Sequence, residues 1–472
     1  MTISTGASPG VPAGPAGHSP NGHSSNGHSP NGHGPNGHNP AVAGTAGDNS
    51  AWNNGAGNSP AGLDSVGNSS AGLDSAGNSP AGLDSVGNSP AGEGHGLLPS
   101  AHPVQLIDAG GSASAHEGYA LPDAGTLLDA YARLVAGRRI NDQANALVRQ
   151  GRLAVYPSSH GQEACQVAAA VVLREQDWLF PTYRDSVAVM SRGVDPLQVL
   201  TLLRGDWHSG YDPYEHRVAP QATPLATQLL HAVGVAHAAK LRGEDTVVLA
   251  MCGDGATSEG DFHEALNFAA VFHVPVVFFI QNNEYAISVP LKNQSAAPSL
   301  AHKAVGYGMP GERVDGNDVA ALLAVLGAAV QRARDGNGPA LVEAHTYRMQ
   351  PHTNADDATR YRTAEEVQQW EPRDPLLRTR TYLRGLGLLD DDVEDRLAAD
   401  AEEIAAAMRD GLNTDIEPDP MELFAHVYGR RTPALDEQAE LLRDELHRDE
   451  LPRDAAGRED AGPSPDQRSG DS

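Results

Sequence analysis

Periodic alternation of apolar and polar positions begins only near residue 119 of the 472-residue chain. Residues 1–118 consist mainly of Gly, Pro, Ser, Asn, His and Ala, with few large apolar side chains. A segment of this kind buries too little apolar surface to offset the entropy that it would lose on ordering. The pattern therefore predicts a low-complexity, disordered N-terminal tail over residues 1–118, followed by a folded domain.

Residues 119–362 show helical and β-type periodicities in alternation. The predicted elements are helices at 127–150, 162–173, 224–241, 258–272 and 319–335 and strands at 246–252, 276–281 and 340–347. Strands that alternate with helices are typical of an α/β domain with a parallel sheet. We therefore predict a doubly wound parallel sheet, with a helical C-terminal extension at 363–430 and a charged, largely disordered tail at 431–472.

Two short tandem repeats occupy the N-terminal tail. The first recurs every five residues and carries His18, His23, His28, His33 and His38; the second starts at Asn58, Asn68 and Asn78. Both periods are far below the roughly 20 residues of a stacking structural repeat. Evenly spaced imidazoles could bind a divalent metal loosely, but a flexible segment fixes no coordination geometry, so a solvated tail is the preferred interpretation.

Charge and cysteine content narrow the class of protein. The chain has 33 basic and 61 acidic residues, a net charge of −28, so it lacks the basic face that nucleic-acid binding requires. The two cysteines, Cys165 and Cys252, lie far apart in apolar contexts, which favours a reducing compartment over a disulfide framework. No apolar run approaches the roughly 20 residues of a membrane span and no secretory pattern opens the chain. These features predict a cytoplasmic protein without membrane or nucleic-acid partners.

Polar motifs follow two neighbouring predicted strands. Gly253-Asp254-Gly255 ends the first, and Asn282-Asn283 ends the second. Glycines let a backbone approach a ligand closely, and a helix N-terminus offers N–H groups to an anion. A carboxylate between these glycines would repel a diphosphate unless a cation such as Mg²⁺ bridged the two. The pair therefore indicates a magnesium–diphosphate site. The alternative is that both motifs are ordinary turns without a ligand. A dinucleotide site is disfavoured because the glycines do not form G-x-G-x-x-G.

The segment GDGATSEGDFHEALNFAAVFHVPVVFFIQNNEYAIS, residues 253–288, resembles the thiamine-diphosphate motif of a known family. That family comprises the alpha subunits of the decarboxylating components of branched-chain 2-oxo acid and pyruvate dehydrogenases. Further matching pieces are YPSSHGQEA at 156–164, FPTYRD at 180–185, TPLATQ at 223–228 and YRMQPHTNADDATRYR at 347–362. The resemblance extends from about Leu128 to Tyr428, and the order of its motifs is highly specific. It implies the thiamine-diphosphate-binding fold.

The resemblance also implies roles for individual residues. Mg²⁺ would be bound by the side chains of Asp254 and Asn283 and by the backbone carbonyl of Tyr285. His352 would be the catalytic residue, with a proton-transfer and phosphate-contacting role, although a histidine in a polar loop is otherwise more often a surface group. The residues implied to contact thiamine diphosphate are Tyr183, Arg184, Thr223, Leu225, Gly253, Asp254, Gly255, Ala256, Asn283 and His352.

Three further positions carry open alternatives. Some relatives bind K⁺ through the segment that matches Ala222, Pro224, Thr227 and Gln228, where a helix start and packing explain the same residues equally well. Gln281 stands where some relatives have a basic residue, which puts one phosphate contact in doubt. Thr353 stands where mitochondrial relatives carry a phosphorylated serine, without any basis here for expecting a kinase.

Thiamine catalysis in this family also needs a carboxylate from a second α/β domain, for which the chain has no room. The resemblance therefore implies a beta subunit in an α2β2 heterotetramer and a lipoylated dihydrolipoyl acyltransferase core. The implied reaction is oxidative decarboxylation of branched-chain 2-oxo acids, such as 3-methyl-2-oxobutanoate, with acyl transfer to lipoamide. Asp356-Asp357, where pyruvate-type members tend to differ, favours that substrate class slightly. Pyruvate is the alternative substrate, and a non-catalytic scaffold that binds the cofactor or the partner is the alternative from another class.

Overall fold

A computed structural model of the chain describes residues 96–206, 209–413 and 419–450. Residues 1–95 of the predicted N-terminal tail, including both tandem repeats, lie outside the described residues, as do residues 451–472. No helix within the described ranges combines the length and the apolar character needed to cross a membrane. Cys165 and Cys252 are both buried and free.

The fold is built on five parallel strands. They are β1 (Trp178–Phe180), β2 (Val248–Gly253), β3 (Val276–Asn282), β6 (Gly311–Asp315) and β7 (Ala340–His345), in the order β1-β2-β3-β7-β6. Every pair in this sheet is parallel; Leu249 of β2, for example, is in register with Val277 of β3. A separate two-stranded antiparallel ribbon joins β4 (Tyr285–Ala286) to β5 (Val289–Pro290).

Helices cover both faces of the sheet. They are α1 (Ala124–Arg149), α2 (Glu163–Val171), α3 (Ser186–Ser191), α4 (Pro196–Arg204), α5 (Pro213–His216), α6 (Thr227–Arg242), α7 (Gly260–Phe272), α8 (Val319–Arg334), α9 (Ala364–Gln368), α10 (Pro375–Gly385), α11 (Asp391–Gly411) and α12 (Pro433–Glu450). Side chains of a strand alternate between its faces: Leu249 and Met251 of β2 pack with α1, α2 and α8, whereas Val248 and Ala250 pack with α6 and α7. The predicted doubly wound α/β sheet is confirmed.

The folded part starts earlier than residue 119. Val104 forms a parallel bridge with Val314 of β6, and the side chains of Leu106 and Ile107 are buried. The N–H groups of Leu106 and Ile107 both donate to the Asp318 carboxylate at 2.7 Å. The predicted tail boundary at residue 118 is therefore wrong for residues 96–118, because partners more than 200 residues away in sequence order this segment.

The C-terminal part also differs in detail from the prediction. Helices α10 and α11 pack against α1, as expected of a helical extension over 363–430. Residues 433–450, however, form the helix α12 instead of the start of a disordered tail. Its mixed charges suit a solvated helix as well as a disordered chain, so composition alone did not separate the two.

Candidate functional site

The two polar motifs meet at the carboxyl ends of β2 and β3. Asp254 is buried, and its Oδ2 accepts a hydrogen bond of 2.7 Å from Nε2 of Gln294. Burial raises the pKa of the Asp254 carboxyl, while hydrogen bonds from Gln294 and from the Asn283 backbone act in the opposite sense. The structure thus brings Asp254 and Asn283 together, as the strand order requires for parallel neighbours.

The three oxygens of the predicted metal site have partners within the chain. Nδ2 of Asn283 donates to Gln162 at 3.1 Å, and its Oδ1 accepts from the Tyr285 N–H at 3.3 Å. The carbonyl of Tyr285 accepts from Nη1 of Arg348 at 3.2 Å. A carboxylate, an amide oxygen and a carbonyl oxygen are the hard donors that Mg²⁺ prefers. No group of three His, Cys, Asp or Glu side chains suited to a metal occurs in the described part of the chain.

The backbone is open to a ligand at the glycine before Asp254 and closely packed at the glycine after it. A Cβ added to Gly253 would meet no atom within 4 Å, whereas one at Gly255 would lie 2.7 Å from the Cβ of Ala286. Residues 255–258 form one 3-10 turn, and the first N–H groups of a helical turn have no acceptor within it. The open side at Gly253 and these N–H groups fit an anionic group such as a diphosphate.

Lys303 holds this 3-10 turn through hydrogen bonds to Thr257. Its Nζ donates to the carbonyl of Thr257 at 2.7 Å and to the Thr257 hydroxyl at 3.0 Å, and that hydroxyl donates to the carbonyl of Asp254 at 2.8 Å. Burial lowers the pKa of Lys303. A lysine is therefore held at the same turn as Gly255 and Ala256, the residues that would face the diphosphate.

Arg184 and His352 form a second part of the site. Arg184 is buried, and its Nη1 donates to the carbonyls of Ser158 and His352 at 3.1 Å each. Its Nη2 lies 3.1 Å from Nδ1 of His352. The Tyr183 ring lies edge-on to the His352 ring, with centroids 6.1 Å apart. The structure therefore groups the predicted residues Tyr183, Arg184 and His352.

The contact with Arg184 defines the state of the His352 ring. Because an arginine only donates, Nδ1 of His352 is an acceptor and the proton lies on Nε2. Burial, reinforced by the charges of Arg184 and Arg348, lowers the pKa of His352 to about 4. The imidazole is thus neutral at neutral pH and presents an N–H donor at Nε2.

Arg348 connects the two parts of the site. Besides the Tyr285 carbonyl, its guanidinium donates to the carbonyl of Ile287 at 2.7 Å and to the Tyr361 hydroxyl at 3.0 Å. Asp356 accepts hydrogen bonds from the His352 N–H at 2.8 Å and from Tyr361. These contacts tie the loop that carries His352 to the β4–β5 ribbon beside the predicted metal ligands.

Comparison with known proteins identifies the family. Residues 132–415 match the family described as "Dehydrogenase E1 component", which is more than half of the chain. The chain belongs to this family. Members of the E1 family are thiamine-diphosphate-dependent 2-oxo acid dehydrogenases, which are oxidoreductases. The family resemblance predicted from the sequence motifs is confirmed.

Two relatives from different bacteria show how similar the chain is to each type of E1 alpha subunit. The chain is 49% identical over 354 residues to the 3-methyl-2-oxobutanoate dehydrogenase subunit alpha of Mycobacterium tuberculosis, covering 74% of this chain and 96% of that protein. It is 37% identical over 346 residues to the pyruvate dehydrogenase E1 component subunit alpha of Staphylococcus aureus, covering 72% of this chain and 93% of that protein. The chain is thus similar to both types over nearly their whole length.

Thr223 and Leu225, two further predicted cofactor contacts, belong to the segment before α6; we call the group formed by Asp254, Asn283, Arg184 and His352 the E1 site. Both are exposed, with 42% of Leu225 accessible. Gln228 holds this segment near the sheet, because its Nε2 donates to the carbonyls of Leu225 at 3.2 Å and of Met251 in β2 at 3.0 Å. The segment, which includes the K⁺ candidates Ala222, Pro224, Thr227 and Gln228, therefore lies beside β2, and its contacts with cofactor or K⁺ stay predictions.

A buried amide network lies beneath the E1 site and was not predicted. Gln281, noted above as a departure from some relatives, donates to Asp185 at 2.7 Å and accepts from Gln162 at 3.2 Å. Asp185 also accepts from Gln166 and Thr182. The buried Gln281 amide bonds to Gln162, which in turn bonds to Asn283, so Gln281 orients both side chains. The position of Gln281 near the end of β3 is the feature of the sequence that could have indicated this role.

Proposed function

We propose that this E1 chain is the alpha-type subunit of a branched-chain 2-oxo acid dehydrogenase that acts on 3-methyl-2-oxobutanoate and related acids. The observation that carries the proposal is the 49% identity to the mycobacterial 3-methyl-2-oxobutanoate dehydrogenase subunit alpha, against 37% to the staphylococcal pyruvate enzyme. Pyruvate is the second candidate substrate, favoured by that latter similarity.

The donor set at the carboxyl end of the sheet fits Mg²⁺ and thiamine diphosphate. Asp254, Asn283 and the carbonyl of Tyr285 would hold the metal, after Gln294 and Arg348 yield their hydrogen bonds to Asp254 and Tyr285. Arg184, Tyr183 and the backbone of Gly253, Gly255 and Ala256 would face the diphosphate, and Thr223 and Leu225 the rest of the cofactor. The cofactor, when bound, supplies the electron sink for loss of CO₂.

The residues of the chain act by binding and by placing one proton. His352 holds a proton at Nε2 and can donate a hydrogen bond from it to oxygen on the reacting carbon, while Arg184 donates to Nδ1. Neutral His352 costs no repulsion against Arg184 and Arg348, so the ring stays correctly oriented. The loop around His352, pinned by Arg348 and Asp356, would keep water from the reacting group.

The proposal includes partners and a location. The relatives are named as alpha subunits, which supports a beta subunit, and we extend this to an α2β2 heterotetramer on a lipoylated dihydrolipoyl acyltransferase core, to which the acyl group passes. A K⁺ ion near Gln228 and a cytoplasmic location complete the proposal, supported by the family motifs and by the two unpaired, buried cysteines.

Co-expression with a beta subunit tests the function. The complex should decarboxylate 3-methyl-2-oxobutanoate only with both thiamine diphosphate and Mg²⁺. Its kcat/KM should be at least about tenfold above that for pyruvate, because one missing methylene in an apolar pocket is worth about 10- to 200-fold and pyruvate lacks two methyl groups. A preference for pyruvate would keep the mechanism and overturn the substrate. Absence of turnover with both acids would leave the non-catalytic scaffold as the better explanation.

A further inference from the structure

Glu284 adopts a backbone conformation that is unusual for a residue with a side chain. Its φ is +74°, in the left-handed region that glycine enters freely and other residues rarely occupy. In the described part of the chain four non-glycine residues have a positive φ, and two of these are Glu284 and Ile287. Strained backbone of this kind persists only where surrounding contacts hold it, and it clusters at functional sites. Some contact must therefore hold Glu284 in this conformation.

Glu284 lies between two residues of the predicted metal site. Asn283 would contribute its side-chain oxygen and Tyr285 its backbone carbonyl. Since the φ and ψ angles of a residue set the relative directions of its two neighbours, a change at Glu284 would turn these two oxygens relative to each other. Oδ1 of Asn283 accepts from the Tyr285 N–H at 3.3 Å, and the Glu284 N–H donates to Oδ1 of Asn282 at 3.2 Å. The arrangement of both predicted ligands thus depends on the conformation of Glu284.

The Glu284 side chain is held by His345. Nε2 of His345 donates to Oε1 of Glu284 at 2.6 Å; because a carboxylate only accepts, Nε2 carries a proton. His345 is the last residue of β7, in register with Asn282 of β3 and with Asp315 of β6. Its ring lies edge-on to the Trp370 ring, with centroids 5.3 Å apart. The sheet and an aromatic neighbour therefore fix the imidazole that holds the carboxylate.

We propose that His345 is a positioning residue for the predicted metal site, because it fixes the Glu284 carboxylate and with it the turn that presents Asn283 and Tyr285. The inference rests on the proposed function, which places Mg²⁺ at these two residues. The side chains of His345 and Glu284 are 33% and 29% exposed, so their contact contributes little to global stability. A contact that orients metal ligands, in contrast, is typically worth about 10- to 100-fold in metal affinity.

Titration of the full-length chain with Mg²⁺ in the presence of thiamine diphosphate tests the proposal. His345→Met keeps a side chain beside Trp370 but removes the donor, and it should weaken Mg²⁺ affinity about tenfold. His237→Met is the matched control. His237 is likewise half-buried and packed on an aromatic ring, that of Phe272, with centroids 4.8 Å apart. It belongs to α6 instead of the Glu284 turn, so its substitution should leave Mg²⁺ affinity unchanged.

Substitutions of Glu284 separate the side-chain contact from the backbone strain. Glu284→Ala loses the carboxylate but keeps a Cβ, which disfavours a positive φ, whereas Glu284→Gly adopts this φ readily. Glu284→Gly should therefore bind Mg²⁺ about fivefold or more tightly than Glu284→Ala. When Glu284→Gly is already present, adding His345→Met should change Mg²⁺ affinity by less than about twofold, because the turn no longer needs the contact.

The Asp254→Ala variant distinguishes failure of this proposal from failure of the metal site. If Asp254→Ala loses Mg²⁺ affinity and His345→Met keeps it, the positioning role of His345 is wrong and the metal site stands. If Asp254→Ala binds Mg²⁺ as wild type does, both are wrong. An equal loss from His345→Met with and without Glu284→Gly would also overturn the proposal, since His345 would then act without Glu284, as would the same loss in His237→Met.

Amide hydrogen exchange gives a readout that needs neither metal nor cofactor. The N–H groups of Glu284 and Tyr285 donate to side-chain oxygens within the turn, so both should exchange faster in His345→Met than in wild type and His237→Met. Unchanged exchange at both amides would show that His345 does not hold the turn, and the proposal would then be wrong.

Discussion

The two ends of the same sheet use arginine in opposite ways. At the amino end, before β1 and β2, Arg334 pairs with Asp177 at 2.5 Å and with Asp245 at 2.7 Å. At the carboxyl end, Arg184 and Arg348 both converge on His352, and their other acceptors are carbonyl oxygens and a tyrosine hydroxyl. The charge of Arg334 at the amino end is neutralised within the fold, whereas the charges of Arg184 and Arg348 at the carboxyl end are arranged for an anion from outside.

The largest expected effect separates two aspartates, one at each end. Asp254→Ala should weaken Mg²⁺-dependent binding of thiamine diphosphate by more than about 100-fold, because a hard-donor site loses its one carboxylate. The fold should persist, since burial already disfavours the Asp254 charge. Isothermal titration with and without Mg²⁺ measures the change.

Asp245→Asn is the matched control for Asp254→Ala. The Asp245 side chain is 61% exposed and bound to Arg334 and Arg174, so the substitution should leave cofactor affinity unchanged and alter the free energy of unfolding by less than about 1 kcal/mol. Undiminished cofactor affinity in Asp254→Ala would show that the metal site lies elsewhere.

A second pair of variants divides binding from stability. Arg184→Met should weaken cofactor binding about 10- to 100-fold, the worth of hydrogen bonds to a charged group. Arg334→Met should instead lower the free energy of unfolding by about 3 kcal/mol, because Asp177, whose side chain is 0% exposed, would keep an uncompensated charge. Urea unfolding and cofactor titration of both variants measure the two effects; the same profile in both would erase the contrast between the two ends.

Lys303 tests whether a residue that holds the 255–258 turn also contributes to cofactor binding at the carboxyl end. Lys303→Met should weaken thiamine diphosphate binding about tenfold through loss of a charged hydrogen bond that holds the 255–258 turn, with little effect on unphosphorylated thiamine. Lys292→Met changes an exposed lysine on residues 291–293 and serves as the control. An equal loss for thiamine and its diphosphate would indicate a general packing role for Lys303.

The contrast between the ends also explains what the sequence revealed. Asp254 and Asn283 could be predicted because they directly follow two strongly apolar strands. Strand β6, with the sequence GERVD and only Val314 as a core side chain, gave no β-type pattern. Arg348 lies in a polar loop without periodicity, so its role depends on how that loop folds across β4. Burial of Leu106 likewise depends on Asp318, a partner too distant for any local pattern to indicate.

The smallest expected effect concerns the pH dependence of His352. Its pKa is about 4 in the folded chain, below the ordinary value of 6.5, so the unfolded chain binds the proton first as pH falls. The stability that comes from a neutral His352 is complete above pH 6.5 and is lost as pH falls towards 4. With allowance for partial exposure, wild type should lose about 1 kcal/mol more than His352→Gln between pH 7.5 and 5.

Thiamine diphosphate and Mg²⁺ should reduce this difference between wild type and His352→Gln. Arg184 and Arg348 repel a proton on His352 only while their charges lack an anion, and a diphosphate beside Arg184 would offset that repulsion. Urea unfolding at both pH values, with and without the cofactor, measures the change. Equal pH dependence in wild type and His352→Gln without cofactor would mean that the two arginines do not control this ring, and the carboxyl end would then resemble the neutralised amino end.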